Sequence, residues 1–286
     1  MATTASTMMA LTGGDSKVTS PRMRLPIYQI DAFADEVFRG NPAAVVPLEK
    51  WLPDATLQAI ANENNLAETA YFVPEGDAWG LRWFTPLVEV DLCGHATLAS
   101  AHLIFSRLRP DASSVRFQTR SGLLTVTREG DLLVLDFPAL RPKREANEST
   151  RSAVDAALGS AALELWRARD LPALLPSAAA VRALKPNLDA IARLDAFALI
   201  VTAPGDEPGV DFVSRFFAPA KGVPEDPVTG SAHCMLTPFW ADRLGRAQLT
   251  AHQISARGGR LACTDRGDRV TIAGEAVLYL EGNIEI

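Results

Sequence analysis

RWFTP at residues 82–86 and CGHATLASAH at residues 93–102 decide the fold, because the chain repeats their pattern further on. RFFAP occupies residues 215–219, and DPVTGSAHCM occupies residues 226–235. The two copies are offset by 133 residues (215 − 82 and 226 − 93). Each copy passes from an aromatic strand through a polar loop and a Gly-bearing turn into an apolar helix. The repeat predicts two similar halves with a cleft between them.

The helices in these two copies predict the fold class. Residues 95–107 and 231–244 are apolar nearly all round, which is typical of helices buried on every side. Strands must therefore wrap around them. This gives an α+β fold of two pseudo-symmetric domains, each a mixed β-sheet or barrel around one central helix. We expect the halves at residues 24–135 and 136–286, with the last strand returning to the first half, after a disordered leader at residues 1–23.

Other segments predict elements of their own. Asp54 is expected to cap a helix over 55–64, and a further helix is expected over 152–168. QIDAF at 29–33 and VLDFP at 134–138 form a short match. We interpret these two segments as the opening strands of the two halves.

Composition bounds the function. The 286 residues are 48% hydrophobic and 22% charged, which is ordinary for a soluble globular enzyme. A net charge of −6 and scattered Lys and Arg residues argue against nucleic acid as a partner. No run of about 18 apolar residues occurs, so no membrane partner is expected. Three cysteines indicate a reducing compartment without disulfides, so we expect a cytoplasmic protein.

Both turn-to-helix junctions are candidate anion sites. Gly94 precedes one helix, and Gly230 with Ser231 opens the other. A helix N-terminus carries unpaired N–H groups and a partial positive charge, and glycine lets a ligand approach the backbone. The same residues also serve as plain turns and caps. The duplication favours a receptor for a small anionic metabolite between the two junctions.

Four titratable residues are candidates for proton transfer. Glu68 lies between polar Asn residues and an apolar strand, so its pKa is expected to rise, as suits a general base. The 133-residue offset makes Cys93 and Asp226 counterparts. Asp226 is a substrate anchor, a proton carrier or a helix cap taking backbone N–H bonds. His95 could hydrogen-bond or protonate a substrate, and Cys93 is either a thiol of lowered pKa or a small buried hydrophobe.

A metal site is not expected. Cys93, His95, His233 and Cys234 are candidate ligands by residue type. His233 and Cys234 are adjacent on a helix and point about 100° apart, so they do not easily share one ion.

Four motifs resemble the PhzF family of phenazine-biosynthesis isomerase-like proteins, which have the diaminopimelate epimerase fold. They are DAFADEVFRGNPAAVV (31–46), NLAETAYFV (65–73), CGHAT (93–97) and EDPVTGSA (225–232). The resemblance implies two domains with the site between them, and no cofactor. It also implies proton transfer between carbons of a small cyclic carboxylic acid.

The resemblance assigns roles to residues of this chain. Glu68 is implied as the catalytic base. The implied substrate contacts are Gly94, His95, Asp226, Gly230 and Ser231, with Asn41 and Cys93 as further candidates.

Two other functions stay open at this point. One is an amino-acid epimerase or racemase that uses Cys93 and Asp226 as opposed bases. The other is a non-catalytic small-molecule binding protein that kept the fold. A homodimer is the candidate assembly.

Overall fold

The computed structural model describes residues 23–286, so the leader predicted at residues 1–23 lies outside the described residues apart from Met23. From Met23 onward, the first part of the chain contains eight strands, two helices and one π-helical turn. They are β1 (Arg24–Ala32), β2 (Asn41–Pro47), α1 (Asp54–Asn64), β3 (Glu68–Glu75), β4 (Ala78–Phe84), β5 (Glu89–Val90), α2 (Gly94–Leu103), the π-helical turn (Ile104–Leu108), β6 (Ser114–Thr119), β7 (Gly122–Glu129) and β8 (Leu132–Pro138).

The later part of the chain contains ten strands, four helices and a short 3-10 turn among its described residues. They are β9 (Lys143–Arg144), α3 (Glu148–Leu158), β10 (Glu164–Arg167), β11 (Leu171–Leu174), α4 (Ala178–Ala183), α5 (Leu188–Ala192), β12 (Leu199–Pro204), β13 (Phe212–Ala218), the 3-10 turn (Pro219–Lys221), β14 (Val223–Asp226), α6 (Gly230–Leu244), β15 (Gln248–Gln253), β16 (Gly259–Asp265), β17 (Arg269–Gly274) and β18 (Ala276–Glu285).

One order of strand pairing occurs twice. In the first part it runs β18–β1–β2–β3–β4–β6–β7–β8, with only β2–β3 and β4–β6 parallel. In the later part it runs β9–β10–β11–β12–β13–β15–β16–β17, with only β11–β12 and β13–β15 parallel. The final strand β18 pairs with β1, as expected, and β8 pairs with β17. The fold is therefore a mixed α+β architecture, while its division into two domains stays a prediction.

The repeated aromatic strands keep the same side-chain contacts. Arg82 on β4 pairs with Glu89 and lies 5.1 Å from the centre of the Phe84 ring. Arg215 on β13 pairs with Glu225 and lies 5.0 Å from the Phe217 ring. Arg82 and Arg215 therefore make matching contacts on β4 and β13.

The core surrounds α2 and α6. Every residue of α2 from His95 to Leu103 is buried except His102, and α6 is buried from Ala232 to Ala241. Helix α2 contacts β1, β2, β3, β8 and β18, whereas α6 contacts β15, β16 and β17. Both helices belong to one hydrophobic cluster that includes Leu98 and Met235. Full burial of each such side chain contributes about 1.5–3 kcal/mol.

Several sequence expectations differ from the structure. The helix predicted over 152–168 is α3, which ends at Leu158 because Gly159 takes φ 70° there. Strand β10 follows it.

The helix after residue 53 begins at Asp54, with Pro53 in the cap position, and the Asp54 carboxylate bonds to Arg82 instead of capping. VLDFP does not open a second half, because β8 pairs with β7 and β17. The predicted boundary at residue 135 lies inside this strand. No helix within residues 23–286 is long and apolar enough to cross a membrane.

Candidate active site

A strained loop places Asn41 at the start of β2. Gly40 takes φ 64°, and a Cβ there would lie 2.2 Å from the carbonyl oxygen of Ala32, so only glycine fits. The buried Asp31 carboxylate holds the loop by accepting bonds from the Phe38 N–H and from Arg257 Nη2 at 2.9 Å each. Asn41 is therefore fully buried beside the start of α2.

Glu68 is the first residue of β3, beside Ala43 on the parallel strand β2. Its side chain is 16% exposed, and its Oε2 atom lies 3.1 Å from Nε2 of His95. This is an ion-pair distance, but the geometry falls short of a hydrogen bond, and Oε2 has no hydrogen-bond partner among the described residues. A carboxylate oxygen with a free lone pair is what a general base requires.

The N-termini of α2 and α6 meet at two glycines. A Cβ built on Gly94 would lie 3.7 Å from the Cα of Gly230, and one built on Gly230 would lie 3.8 Å from the Cα of Gly94. Phe137 lies against Gly94, and Phe33 lies against Gly230. The two predicted anion junctions are therefore neighbours.

Asn41 connects the two helix starts. Its Nδ2 atom donates to Asp226 Oδ1 at 2.8 Å and to the Val228 carbonyl at 2.9 Å, and it lies 3.2 Å from Nδ1 of His95. Since both bonded partners are acceptors, the orientation of the amide is fixed. Because the amide nitrogen cannot accept a hydrogen bond, its 3.2 Å contact favours an unprotonated Nδ1 in the neutral imidazole, with the proton on Nε2, toward Glu68.

His95 is buried, and its charge is set by its neighbours. Burial opposes the imidazolium, but the Glu68 carboxylate beside Nε2 raises the pKa of His95 well above its ordinary value. A second proton on Nδ1 can point at Cys93 Sγ, 3.5 Å away. The imidazole can therefore hold and release a proton between two carboxylates.

Asp226 is a carboxylate of this site with a raised pKa. Burial raises the pKa of Asp226 to about 6, and Glu68 adds to the rise, whereas His95 and bonds from Thr229 and Asn41 oppose it. The Thr229 hydroxyl donates to Asp226 Oδ2 at 2.5 Å. The expected backbone N–H bonds to this carboxylate are absent among residues 23–286. The hydrogen-bond partners of the Asp226 carboxylate are the side chains of Asn41 and Thr229. The carboxylate is therefore not stabilised in its ionised form by capping the helix.

Comparison with known proteins identifies the family of this chain. Residues 30–282 match the family described as "Phenazine biosynthesis-like protein". The chain belongs to this family, known as the PhzF family. An uncharacterized isomerase of Pseudomonas aeruginosa is 52% identical over 92% of this chain and 100% of its own length. The chain is accordingly an isomerase of the PhzF type.

Solved structures place the fold. A PhzF-family crystal structure from Enterococcus faecalis is 46% identical, with a TM-score of 0.89 over 92% of this chain and 100% of that one. A hydroxyproline epimerase from Agrobacterium vitis, with bound trans-4-hydroxy-L-proline, has a TM-score of 0.56 at 12% identity over 92% of this chain and 93% of that one. The likeness to the epimerase concerns the fold alone.

The prediction that Cys93 and Asp226 occupy corresponding positions in the repeat is wrong at the starts of the two helices. Cys93 is the N-cap residue of α2, but the N-cap residue of α6 is Thr229, 136 residues further on (229 − 93). Burial, with a smaller contribution from Glu68, raises the pKa of the Cys93 thiol to about 11. Of the two interpretations of Cys93, the buried hydrophobe fits, because desolvation outweighs the helix N-terminus.

The site also brings three potential metal ligands together. Donor atoms of Glu68, Cys93 and His95 all lie within 4.8 Å of one another. However, the amide nitrogen of Asn41 beside Nδ1 favours a neutral His95 with its proton on Nε2, the nitrogen nearest Glu68. A metal there would require the other tautomer. The expectation of no metal stays a prediction.

Several residues of the site were not found by sequence reasoning. Gln253 on β15 accepts from the Thr229 N–H at 2.8 Å and donates to the Asp226 carbonyl at 2.7 Å. His233 bonds through Nδ1 to the Thr229 carbonyl at 2.8 Å, and burial lowers its pKa to about 4. Arg169 donates to Ser231 Oγ at 3.2 Å. No motif marks Gln253 or Arg169, because only tertiary packing brings them to α6. His233 lies in the repeated segment DPVTGSAHCM, but sequence reasoning considered it only as a metal ligand.

Proposed function

We propose that this isomerase moves a proton between carbons of a small cyclic carboxylic acid, with Glu68 as the general base and acid. The observation that carries the proposal is the Oε2 atom of Glu68, which lies 3.1 Å from Nε2 of His95 and accepts no hydrogen bond from the described residues. A proton shift between carbons changes no net oxidation state, so a base and an acid held by the protein suffice.

The reaction begins and ends with the same protonation state. The Glu68 carboxylate takes a proton from one carbon of the substrate, and the electron pair of the broken C–H bond moves into the substrate's conjugated system. Glu68 then returns a proton to a different carbon, or His95 delivers one from Nε2. In the second case, a proton passes from Glu68 back to His95 to restore the resting state.

The network around Asp226 supports the acid role of His95. With Asp226 titrating near pH 6, its carboxylate is mostly ionised at neutral pH, yet it is poised to accept a proton. Asn41 contacts both residues and fixes their separation. Loss of the Asp226 charge should therefore disturb the imidazole rather than the base.

The decisive experiment measures deuterium wash-in by NMR. The protein is incubated in D₂O with a panel of cyclic carboxylic acids, and exchange at carbon is compared between wild type, Glu68→Gln and the control Glu63→Gln. Glu63 is exposed on α1, so the control makes the same chemical change away from His95. We expect Glu68→Gln to lose exchange by about 10²–10⁴-fold while Glu63→Gln exchanges like wild type.

Two outcomes contradict the proposal. Wild-type exchange rates in Glu68→Gln would remove Glu68 as the base. Binding of panel acids without any exchange in wild type would favour the non-catalytic binding protein. A Cys93→Ala variant tests the racemase, because a single-base mechanism at Glu68 predicts that exchange survives within about tenfold.

A further inference from the structure

The turn between β10 and β11 holds a guanidinium in one orientation. Arg169 Nε and Nη2 donate to the two carboxylate oxygens of Asp170 at 3.0 and 2.7 Å. Asp170 is completely buried. This bidentate pair fixes the plane of the guanidinium, as Arg–carboxylate pairs do. The repeated motifs contain no equivalent of this turn.

The guanidinium is aimed at the start of α6. Nη2 also donates to Ser231 Oγ at 3.2 Å. Ser231 follows Gly230, whose Cα is in contact with the position of Gly94. The Asp170 carboxylate balances the charge of Arg169 beside this helix N-terminus. Because Asp170 and Ser231 bond to Nε and Nη2, Nη1 is left to bind a ligand one residue from the meeting point of α2 and α6.

A second cation, Lys221, and an exposed aromatic ring, Phe197, lie beside Arg169. We call these three residues the rim. Arg169 lies 4.6 Å from the centre of the Phe197 ring, and Lys221 Nζ lies 5.4 Å from the same centre. Phe197 is 41% exposed. Among the described residues, Lys221 has no carboxylate within ion-pair distance. Leu87, from the segment before β5, reaches Gly222 beside Lys221, so the rim lies where the two parts of the chain approach each other.

We propose that Arg169, assisted by Lys221, binds the carboxylate of the substrate, and that Phe197 forms a flat wall for the substrate's ring. This inference rests on the proposed function and deepens it, because it names the residues that recognise the carboxylate and the ring of the substrate. Arg169 Nη1 makes no hydrogen bond to residues 23–286, and the side chain is 36% exposed, so a donor is available. The guanidinium selects a planar carboxylate in a way that an amide cannot reproduce.

The test compares benzoate with benzamide, its neutral isostere, by isothermal titration calorimetry. The key variant is Arg169→Gln combined with Asp170→Asn, because Arg169→Gln alone would leave a buried carboxylate unpaired and risk unfolding. The matched control is Arg182→Gln, on α4, where the arginine pairs with Asp206 at the surface. Wild type should bind benzoate about tenfold or more tightly than benzamide, as expected for charged hydrogen bonds.

The double variant should reduce this preference to about twofold or less, while Arg182→Gln retains it. Equal binding of the two probes to wild type, no binding of either, or an intact preference in the double variant would overturn the proposal. Glu68→Gln separates this result from the proposed chemistry. Its benzoate preference should be intact even though exchange is lost. If exchange never depends on Glu68 but the preference depends on Arg169, only the proposed function fails.

Discussion

Replacing Asp226 with Asn should make the protein relatively more stable as the pH rises. The wild-type carboxyl is buried among Asn41, Thr229 and His95, where burial raises its pKa to about 6 from 3.8. An amide of the same shape can still accept from Asn41 or Thr229 but carries no charge. The variant thus removes one titration and little packing.

The sign follows from proton binding in the two states. Below pH 3.8, Asp226 is protonated in both the folded and the unfolded chain, and its ionisation costs nothing. Between pH 3.8 and about 6, the folded state holds a proton that the unfolded state has released, so stability falls with rising pH. A rise of about 2 in the pKa of Asp226 corresponds to about 3 kcal/mol in the free energy of unfolding. Above pH 6, the free energy of unfolding of wild type has fallen by this full amount.

Urea denaturation of both proteins, at intervals from pH 4 to pH 7.5, measures this directly. The free energy of unfolding of Asp226→Asn minus that of wild type should rise across the range by about 3 kcal/mol. Groups that titrate alike in both proteins cancel from the difference. A pH-independent difference, or one that falls with pH, would refute the assignment of the raised pKa to Asp226.

Two further predictions concern neighbours of this site. His233→Asn keeps a donor for the Thr229 carbonyl but removes a histidine whose pKa burial lowers to about 4. Wild type should therefore lose about 3 kcal/mol relative to the variant as pH falls from about 6.5 to 4, which urea titration checks. Gly259→Ala should lower the melting temperature, with a cost of about 1–3 kcal/mol, because its Cβ would lie 2.5 Å from Val228. The Cβ of Gly94→Ala would meet only ordinary contacts at 3.7 Å, so this variant should fold normally but bind benzoate more weakly in calorimetry. An unfolded Gly94→Ala protein, or a Gly259→Ala protein as stable as wild type, would contradict these two predictions.

The fold was predictable where its signal is local. Apolar residues on every face mark α2 and α6 as buried helices, and that property needs no knowledge of their neighbours. The repeat of RWFTP and RFFAP correctly placed Arg82 and Arg215 on matching strands. The motif resemblance likewise pointed to Glu68 and His95, which the structure brings within 3.1 Å.

The errors came from features that only tertiary structure determines. The 133-residue offset holds at Arg82 and Arg215 but changes to 136 at the helices, because Glu225 follows Arg215 by 10 residues whereas Glu89 follows Arg82 by 7. The pKa of Asp226 depends on distant segments that surround it, including Asn41 at the start of β2, 185 residues away. Arg169 lies in a turn without any motif, and its aim at Ser231 depends on how β10 and β11 pack beside α6.

The meeting of two helix N-termini explains why the acid–base groups of this site come from different parts of the chain. Each helix start favours negative charge near it, and a carboxylate lies close to each: Glu68 by α2 and Asp226 by α6. Two buried carboxylates repel each other, which would drive one to take up a proton. His95 lies between them and can take up that proton instead, so the site alternates between a protonated imidazole and a protonated carboxyl without changing its net charge. A buried site with that property can release and recapture a substrate proton at low electrostatic cost.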